Sequence, residues 1–419
     1  MKQPYETGIV HLWDLPEDII LIGLKKEFKI SMLKAIKKSS KKIIYFLNEI
    51  NEELHTYYNF KHNQKVKLSF LWKVSNKLLK KGFKEFNKKN IEKNIEFIGT
   101  KRGQTYIFSP KLPFNFNTEA GAYFISAIIF DGGIDKQFKP HYGNIVLSMR
   151  KRIVESAKEI FGELKNREIN LTRNDYFIRF PKSIGIVLTH CFKIKEGNKV
   201  YSNNSLPQFI FKYNNKLKST FLKQAFDDDG SVDTNKKTIN ITGTTDVKKE
   251  QFYSDNSKDY NLINDIKTLL LALKIESNQI RIRKRSYLPK EYNKKGDFFR
   301  HSLGISITGK KNLELFYHKI GFNLEYKKER LRKAIKSYKQ DQLRKGEIKK
   351  IALEKASILQ KEKGYFDNIT LTKEIKRQYR QTVRITKQLL KEGKIKIKEK
   401  AIPIGNGWIP IKFVLNEKY

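Results

Sequence analysis

The chain has 419 residues, of which 39% are hydrophobic and 12% aromatic, and this composition excludes a wholly disordered protein. Its 86 Lys and Arg exceed its 44 Asp and Glu, giving a formal net charge of +42. This excess predicts a nucleic-acid-binding protein, with a soluble Lys-rich protein as the alternative. The single cysteine, Cys191, excludes an intrachain disulfide and is expected to be buried. The sequence contains neither a signal pattern nor an apolar run of ~20 residues, which predicts no membrane span and a cytoplasmic location.

Residues 1–110 are predicted to be mainly helical. Apolar residues recur at helical spacing in two runs, residues 30–47 and 68–79, and lysines fill the other faces. Short basic helices in this arrangement fit a DNA-binding helix-turn-helix or a small helical bundle with a solvated basic surface. Pro110 and Pro113 mark the end of this region.

Two segments that end in Asp-Gly stand out in residues 118–338. The first reads Phe124-Ile-Ser-Ala-Ile-Ile-Phe-Asp-Gly132, and the second reads Leu222-Lys-Gln-Ala-Phe-Asp-Asp-Asp-Gly230. Both have helical character, and the Gly after each Asp predicts a left-handed stop to the helix. A carboxylate at a helix C-terminus faces the negative end of the helix dipole. Asp131 and Asp229 therefore suggest that a cation compensates them, although they could also be helix ends without a function.

The predicted elements follow the same order after each motif. In residues 118–215 they are the helix Thr118–Phe130, the strand Asn144–Met149, the helix Ile153–Leu164, the strands Glu168–Thr172 and Tyr176–Phe180, and the helix Ser183–Phe192. In residues 216–338 they are the helix Lys218–Phe226, the strand Thr238–Thr242, the helix Asn261–Leu273, the strands Gln279–Lys284 and His301–Thr308, and the helix Lys311–Ile320. With a short strand beside each Asp-Gly, both halves are αββαββα. This order predicts an α+β fold built as a pseudo-twofold pair, in a chain that is a monomer.

The C-terminal part divides into a charged helix or linker, residues 339–365, and a last domain, residues 366–419. Two helices, Lys373–Gln378 and Gln381–Leu390, precede two strands, Lys394–Ile402 and Trp408–Val414. Helix, helix and hairpin with basic content resemble a winged helix, whose second helix would enter the DNA major groove. The residues placed there by this prediction are Thr382, Arg384 and Lys387, with Arg380 just before the helix. A structural dimerisation or capping domain is the alternative.

With its flanks, the second motif reads Phe221-Leu-Lys-Gln-Ala-Phe-Asp-Asp-Asp-Gly-Ser-Val232, which closely resembles the LAGLIDADG homing endonuclease family. The resemblance continues in Ile239-Asn-Ile-Thr, in the helix that contains Leu269-Leu-Leu-Ala-Leu, and in Ile305-Ser-Ile-Thr-Gly. It covers residues 118–338. The chain lacks a nucleophile at its start and His-Asn at its end, so we expect a free-standing protein rather than an intact intein.

The resemblance implies a fold and a reaction. In that family the two motif helices pack side by side, and each half presents a curved antiparallel sheet to the major groove as one side of a saddle. Asp131 and Asp229, with backbone near Gly132 and Gly230, would hold a divalent cation such as Mg²⁺ over the scissile phosphates of double-stranded DNA. The implied activity is hydrolysis of one phosphodiester in each strand.

Basic clusters indicate where DNA could lie. Arg281, Arg283 and Arg285 alternate with Ile282 and Lys284, and this spacing places the three arginines on one face of a strand. A solvated strand edge is the alternative. Further phosphate contacts are predicted for Arg150, Lys151 and Arg152, after the corresponding strand of the first half. The candidates for a basic residue near the metal are Lys284, Arg179 and His301, whereas His141 and His190 are expected to be ordinary polar or core residues.

The sequence departs from the family pattern where the helices touch. The family has Gly at the third motif position and Ala at the seventh, but here the third positions are Ser126 and Gln224 and the seventh are Phe130 and Asp228. These larger side chains are compatible with a relative that binds DNA without cutting it. Two alternatives to an endonuclease therefore stay open: a nuclease-inactive transcriptional regulator, and an RNA-binding maturase.

Overall fold

The computed structural model describes residues 3–63, 65–101, 103, 105–165, 176–197, 205–248, 261–288, 298–338, 346–377, 379–404 and 407–416. They fall into two compact units, Met1–Ile335 and Lys336–Tyr419, which are considered separately. Helices alternate with small antiparallel sheets, as the predicted α+β class requires. None of the helices in the described ranges is both long enough and apolar enough to cross a membrane.

The N-terminal region contains strands as well as helices. The helices are α1 Pro4–Thr7, α2 Lys26–Ser39, α3 Ile43–Glu49, α4 Leu54–His62, α5 Leu68–Lys80 and α6 Lys88–Lys93. The strands are β1 Ile9–Val10, β2 Ile20–Leu24, β3 Val66–Lys67, β4 Ile95–Thr100, β5 Tyr106–Phe108 and β6 Phe114–Asn115. A five-stranded antiparallel sheet has the order β3-β2-β4-β5-β9, where β9 is Glu163–Lys165 from beyond the first motif. The prediction of a mainly helical region was therefore incomplete, because it missed this sheet.

The first motif lies on α7, Glu119–Ile129, which we call the first motif helix. The helix begins where the Thr118 hydroxyl accepts a 3.0 Å hydrogen bond from the Gly121 amide, which satisfies one of the free N–H groups of the first turn. After it come β7 Gly132–Ile134, β8 Pro140–Gly143, α8 Leu147–Phe161, β9, β10 Phe177–Arg179 and α9 Lys182–Ile186. The strands β10, β8 and β7 form an antiparallel sheet in that order.

Two boundaries in the first half differ from the predictions. The segment predicted as the strand Asn144–Met149 is instead the start of α8, because the backbone turns into a helix after Val146. The predicted closing helix, Ser183–Phe192, is α9 followed by a turn of π-helix, Val187–Cys191. The predicted strand Glu168–Thr172 lies outside the described residues.

The second motif lies on α11, Asn215–Asp228, the second motif helix, which follows the short helix α10, Gln208–Phe211. Asn214 caps α11 by accepting a 2.9 Å hydrogen bond from the Leu217 amide. The remaining elements are β11 Gly230–Asp233, β12 Thr238–Lys248, α12 Asn261–Ala272, β13 Arg281–Leu288, β14 Phe298–Thr308, α13 Lys310–Lys319 and α14 Glu325–Lys336. The sheet is antiparallel with the order β11-β12-β14-β13.

A cluster of phenylalanine rings forms the core beneath the first motif helix. The Phe124 ring packs edge-on against Phe161 at 5.5 Å and against Phe180 at 5.3 Å. Phe116 meets Phe192 edge-on at 4.6 Å. All five rings are buried, so burial of this apolar surface fixes the face that the helix turns inward. Cys191 is buried beside this cluster, as predicted.

The C-terminal unit has three helices followed by paired strands. The helices are α15 Glu347–Lys363, α16 Asn368–Ile375 and α17 Tyr379–Lys391. The strands are β15 Ile395–Glu399, β16 Ile402–Ile404, β17 Gly407–Ile409 and β18 Lys412–Leu415, with β15 paired to β18 and β16 to β17. Asp367 caps α16 by accepting hydrogen bonds from the Ile369 and Thr370 amides. Leu371, Leu389 and Phe413 lie in a buried cluster that packs the helices against the strands.

Candidate functional site

The two motif helices pack directly against each other. The Ser126 hydroxyl donates a 2.8 Å hydrogen bond to the Phe221 carbonyl oxygen, so at this point one helix approaches the backbone of the other. One turn further on, the Phe130 ring lies edge-on to Phe221 at 6.2 Å. At the other end of the pair, Lys216 forms an ion pair with Glu119. Close packing is thus achieved with Ser at one third position, because its hydroxyl bonds a carbonyl that a larger side chain would displace.

Three carboxylates gather at the C-terminal ends of these helices. Asp131 follows the first motif helix and is half-buried, and its Oδ2 accepts a 3.3 Å hydrogen bond from the side-chain Nδ2 of Asn144. Asp228 ends the second motif helix and is half-buried, whereas Asp229 follows it and is exposed. The charges of Asp131 and Asp229 both act on Asp228. The two acids that the sequence singled out thus both lie within electrostatic range of Asp228.

Asp228 is held by two side chains that the sequence analysis did not single out in this role. The Tyr142 hydroxyl donates to its Oδ1 at 2.9 Å, and the Gln224 Nε2 lies 2.9 Å from both of its oxygens. Burial, and next the negative charge of Asp131, raise the pKa of Asp228 to about 8. Burial also raises the pKa of Tyr142 far above its ordinary value. Gln224, which is too large for the family's third position, thus serves as a hydrogen-bond partner of Asp228.

Asp227 faces away from this cluster and has a structural role. Its carboxylate accepts hydrogen bonds of 3.0 Å and 3.2 Å from the backbone amides of Asn323 and Leu324, and one of 2.8 Å from the Asn323 side chain. These bonds tie the second motif helix to the chain just before α14. Burial raises the pKa of Asp227, although its hydrogen bonds oppose that shift.

Lys327 lies beneath the acids, and no sequence motif marked it. It is buried, and its Nζ donates a 3.0 Å hydrogen bond to the Phe226 carbonyl oxygen and another to the Asp227 carbonyl oxygen. A cation at a helix C-terminus favours the negative end of the dipole. Burial lowers the pKa of Lys327, while the charges of Asp227, Asp228, Asp131 and Asp229 act to raise it. The second motif helix therefore ends between a buried ammonium and a group of carboxylates.

Gly132 and Gly230 fix the position of the acids by close packing. A Cβ at Gly132 would lie 2.6 Å from the His141 carbonyl oxygen, and one at Gly230 would lie 2.4 Å from that of Phe226. Neither glycine has a positive φ, and each begins a strand. The prediction of left-handed helix stops was wrong, because these positions need Gly for close backbone approach rather than for a positive φ.

The oxygen donors at this site suit a hard divalent cation. Carboxylate oxygens are the ligands that Mg²⁺ prefers, and Mg²⁺ usually keeps several waters and phosphate oxygens in its shell. Across the described ranges, no three His, Cys, Asp or Glu side chains form a group that could hold a metal ion by themselves. A cation here would therefore depend on water and phosphate for much of its shell, with the half-buried Asp131 and the exposed Asp229 as the protein ligands.

The predicted DNA-contacting residues differ in how well their positions fit that role. Arg281 is exposed on β13, an edge strand, but a register shift between Ile282 and Lys284 interrupts the two-residue alternation. The prediction that Arg281, Arg283 and Arg285 share one face assumed regular alternation along the strand, and this shift interrupts that alternation. The side chains of Arg283, Lys284 and Arg285 lie outside the described residues.

The basic residues of the first half lie on a helix, not at the end of a strand. Arg150 is buried on α8, and its guanidinium lies 5.7 Å from the Tyr176 ring centre. Arg152 lies 4.9 Å from the Tyr123 ring centre, and Lys151 is exposed. The strand predicted to precede these three residues is wrong, because they lie within α8, and their phosphate contacts stay a prediction.

The three candidates for a basic residue near the metal, and the two histidines, have different environments. Arg179 is exposed on β10, and His301 is buried on β14. His141 is half-buried on β8, and His190 is exposed. Among these candidates, Arg179 alone is a described, exposed cation on a sheet strand.

In the C-terminal unit, Arg380, Arg384 and Lys387 are all exposed on α17. Their spacing of four and three residues places them on one helix face. Thr382, which was predicted to enter the groove with them, is instead buried and accepts a 2.8 Å hydrogen bond from the Thr372 hydroxyl, so it belongs to the inward face of the helix. The exposed basic face predicted for this helix is thus present.

The family comparison identifies the second half. Residues 216–321 match the family described as the LAGLIDADG-like domain. This part of the chain is therefore similar to a LAGLIDADG-like domain. The match includes the second motif helix from its second residue, the four-stranded sheet and all of α13, so the resemblance predicted from Phe221–Val232 is confirmed for this part of the chain.

Two curated proteins of Methanocaldococcus jannaschii are similar to the chain. One is a glutamine–fructose-6-phosphate aminotransferase (isomerizing), 27% identical over 184 residues, which are 43% of this chain and 15% of that protein. The other is a probable translation initiation factor IF-2, 28% identical over 316 residues, which are 70% of this chain and 23% of that protein. The chain therefore aligns with less than a quarter of the length of either relative.

Proposed function

We propose that the protein is a site-specific endonuclease that hydrolyses one phosphodiester in each strand of double-stranded DNA. The observation that carries this proposal is the packing of the two motif helices, which brings Asp131 together with Asp228 and Asp229. The LAGLIDADG-like domain supports a homing endonuclease or maturase type of protein. The two relatives have unrelated names and match over small fractions of their lengths, so neither of their activities is proposed here.

In this proposal, Asp131 and Asp229 hold Mg²⁺ or another divalent cation, with the backbone near Gly132 and Gly230 beside them. When bound, such a cation lowers the pKa of a water and stabilises the leaving oxygen. Lys327 and the glycines fix the helix ends that carry these acids. Asn144 orients Asp131 through its 3.3 Å hydrogen bond.

The DNA would lie across the two antiparallel sheets, arranged as a saddle about a pseudo-twofold axis in one monomeric chain. Arg281 and Arg179 are exposed cations on those sheets, and they are proposed to contact phosphates or bases. The C-terminal unit is proposed to be a winged-helix-like domain, in which Arg380, Arg384 and Lys387 lie along the major groove. The +42 net charge supports an extended polyanion as the partner.

A second candidate is a DNA-binding regulator that does not cut. The observation that favours it is the engagement of Asp228 by Tyr142 and Gln224, which places bulky groups where the family has small ones. An RNA maturase is the third candidate, and its binding would favour folded RNA over duplex DNA.

A cleavage selection tests the proposal. Purified protein is incubated with a randomised duplex library at low salt in Mg²⁺, beside Asp131→Asn and Asp229→Asn. Asp233→Asn is the matched control, because Asp233 lies on β11 only a few residues beyond Asp229, away from the helix ends. We expect cuts by the wild type and by the control, and binding without cuts by the two site variants. Enriched binding without cuts by any protein would favour the regulator, and displacement of the duplex by folded RNA would favour the maturase.

A second readout is independent of cleavage. A ligand that binds only the folded state raises its stability by RT ln(1 + [L]/Kd), which is about 2.7 kcal/mol at a hundredfold excess over Kd. Mg²⁺ should therefore raise the melting temperature of the wild type and of Asp233→Asn more than that of Asp131→Asn or Asp229→Asn. Equal shifts in all four proteins would contradict a cation site at these acids.

A further inference from the structure

A cavity of about 520 Å³ lies between the N-terminal region and the first half. Its wall comes from the segment before β2, the end of β4, the turn before β8, and α9 with the π-helical turn that follows it. Binding sites for small molecules have volumes of about 300–1,000 Å³. The described residues that line the cavity do not include the acids at the ends of the motif helices, so it is a second candidate site.

Thr100 places a buried hydroxyl at the wall of this cavity. The residue is 2% exposed, and its Oγ1 makes no hydrogen bond within the described part of the chain. Its backbone is fixed, because Thr100 pairs with Ile20 on β2. A buried hydroxyl without a partner costs free energy. Its position at the cavity therefore indicates that a hydrogen-bonding group enters from a ligand.

The Phe138 ring forms an aromatic part of the wall, and its backbone is held in an unusual conformation. Phe138 is half-buried and has a φ of 61°, which is rare for a bulky side chain. The Asp135 carboxylate stabilises this turn by accepting hydrogen bonds of 2.8 Å and 2.9 Å from the Gln137 and Lys139 amides. On the other side, a Cβ at Gly185 would overlap the Phe138 carbonyl oxygen, so α9 packs closely here. Strain that its surroundings hold in this way clusters at ligand sites.

Two lysines and a carboxylate supply charge at the cavity. Lys101 is exposed at the end of β4, and the half-buried Lys182 has its Nζ 5.6 Å from the Phe138 ring centre. The positive charge therefore lies beside the aromatic ring. Asp18 is exposed at the cavity and offers oxygens that accept hydrogen bonds. The apolar part of the wall includes Pro16, Ile19 and Ile186.

We propose that this cavity binds a nucleoside phosphate. The base packs on the Phe138 ring, and the phosphate pairs with Lys101 and Lys182. The Thr100 hydroxyl bonds the base or the sugar, and Asp18 accepts from the sugar hydroxyls. A phosphate ion alone would leave the apolar wall and the buried hydroxyl unused. This site goes beyond the proposed cleavage function and does not depend on it.

Calorimetric titration of the full-length protein tests the proposal. The probes are AMP, GMP, CMP and UMP, with the four nucleosides and inorganic phosphate as partial ligands. High salt is used, because it weakens non-specific attraction to a chain with a net charge of +42. At least one nucleotide should bind about tenfold or more tightly than its nucleoside and than phosphate.

Thr100→Val separates a ligand-binding hydroxyl from a structural one. It should weaken binding of that nucleotide by about tenfold, because a hydrogen bond to the ligand is lost. It should not lower the melting temperature of the free protein, since the hydroxyl has no partner to lose. Ser75→Ala is the control: its buried hydroxyl donates at 2.7 Å to the Phe86 carbonyl oxygen, so stability should fall while affinity stays unchanged.

The aromatic ring and the lysines are tested in the same way. Phe138→Leu should weaken binding by about tenfold, because a stacking surface is lost. Lys101→Ala and Lys182→Ala should weaken the nucleotide more than its nucleoside, because only the nucleotide carries the phosphate. Lys136→Ala is the matched control, since Lys136 is exposed in the same turn as Phe138 and does not line the cavity.

The same chemistry occurs in a free nucleotide and at the end of a nucleic-acid strand. Displacement of the bound nucleotide by a short single strand of DNA with a 5′-phosphate, and not by the same strand without it, would assign the site to a strand end. No displacement by either strand would assign it to a free nucleotide. Equal displacement by both strands would place the nucleotide on the general nucleic-acid surface and overturn the inference. Nucleotides that bind no more tightly than phosphate, or an affinity that the cavity variants leave unchanged, would also overturn it.

Discussion

The Ser126 hydroxyl lies 2.8 Å from the Phe221 carbonyl oxygen, and this hydrogen bond joins a side chain of the first motif helix to the backbone of the second. Both residues are buried, so water does not replace the bond if it is lost. The contact lies between the N-terminal turn of the first motif helix and its acidic end. Separation of the helices at Ser126 would therefore also move Asp131 relative to Asp228 and Asp229.

Ser126→Ala should destabilise the fold by about 1 kcal/mol, because one buried hydrogen bond is lost. Ser126→Leu should cost roughly 3 kcal/mol or more, since its larger side chain forces the helices apart. Urea unfolding measures both values. Ser75→Ala is the control, because Ser75 makes a comparable buried bond of 2.7 Å to the Phe86 carbonyl oxygen, far from the acids. Cleavage should fall in Ser126→Leu and persist in Ser75→Ala.

Lys327→Met should destabilise the protein by about 2–3 kcal/mol, because two carbonyl oxygens at the end of the second motif helix lose a charged donor. The carboxylates near it would also lose a compensating positive charge. Thermal unfolding gives the loss directly. Lys328→Met serves as the control: Lys328 is only partly buried and pairs at 3.6 Å with the exposed Glu325, so its loss should change stability by about 0.5 kcal/mol or less. Similar losses in the two variants would refute a special role for Lys327.

Asp228→Asn should stabilise the metal-free protein, and the gain should grow with pH. The folded-state pKa of Asp228 is about 8, above the ordinary 3.8, through burial and the charges of Asp131 and Asp229. Tyr142 donates to the same carboxylate, and the buried ammonium of Lys327 acts on it from α14. Because the folded pKa is raised, the stability contributed by the protonated carboxyl is complete below about pH 4 and is lost as the pH rises to about 8.

The measurement is thermal unfolding in a chelator at two pH values. After allowance for partial solvent screening, the gain from Asp228→Asn should be about 2 kcal/mol larger at roughly pH 8.5 than at roughly pH 5. Asp233→Asn is again the control and should show no such trend. A gain of the same size at both pH values would mean that Asp228 titrates as an ordinary carboxyl.

Gly132→Ala and Gly230→Ala should each cost about 3 kcal/mol or more, because the new methyl group meets backbone oxygens that cannot move aside. The closest distances would be 2.6 Å and 2.4 Å. Gly243→Ala is the matched control on β12, where a methyl group would meet only the Ile263 side chain, at 3.3 Å. If the two motif variants unfolded at the same temperature as the control, close packing would not be the reason for glycine at these positions.

The sequence predicted the elements whose periodicity is strong and local. Both motif helices, the closing helix of the second half and the basic face of α17 were found, because apolar spacing, capping residues and charge mark them directly. The N-terminal strands Ile20–Leu24 and Ile95–Thr100 were missed, since buried apolar runs of this length do not distinguish a strand from a helix. The sheet they form is completed by residues far along the chain.

The sequence predicted only those residues of the candidate site that belong to a recognisable motif. Asp131 and Asp229 are such residues, and Asp228 was read as an obstacle to packing. Its role as an acid held by Tyr142 depends on a contact between residues 86 positions apart, which no local pattern contains. Lys327 was missed for the same reason, because its hydrogen bond to the Asp227 carbonyl oxygen joins residues 100 positions apart. Arg150 was predicted to follow a strand but lies on a helix, because α8 begins several residues earlier than the periodicity indicated.

Strand β9 has a consequence for how the chain folds as it is synthesised. Glu163–Lys165 pairs with Tyr106–Phe108 and forms one edge of the N-terminal sheet. That sheet cannot be completed until residue 165 has left the ribosome, by which time the whole first motif helix has emerged. Until β9 has been synthesised, the outer edge of β5 has no partner strand. Vectorial synthesis therefore couples the two regions into one folding event, and a nascent chain that stalled before residue 163 would present an open strand edge to chaperones.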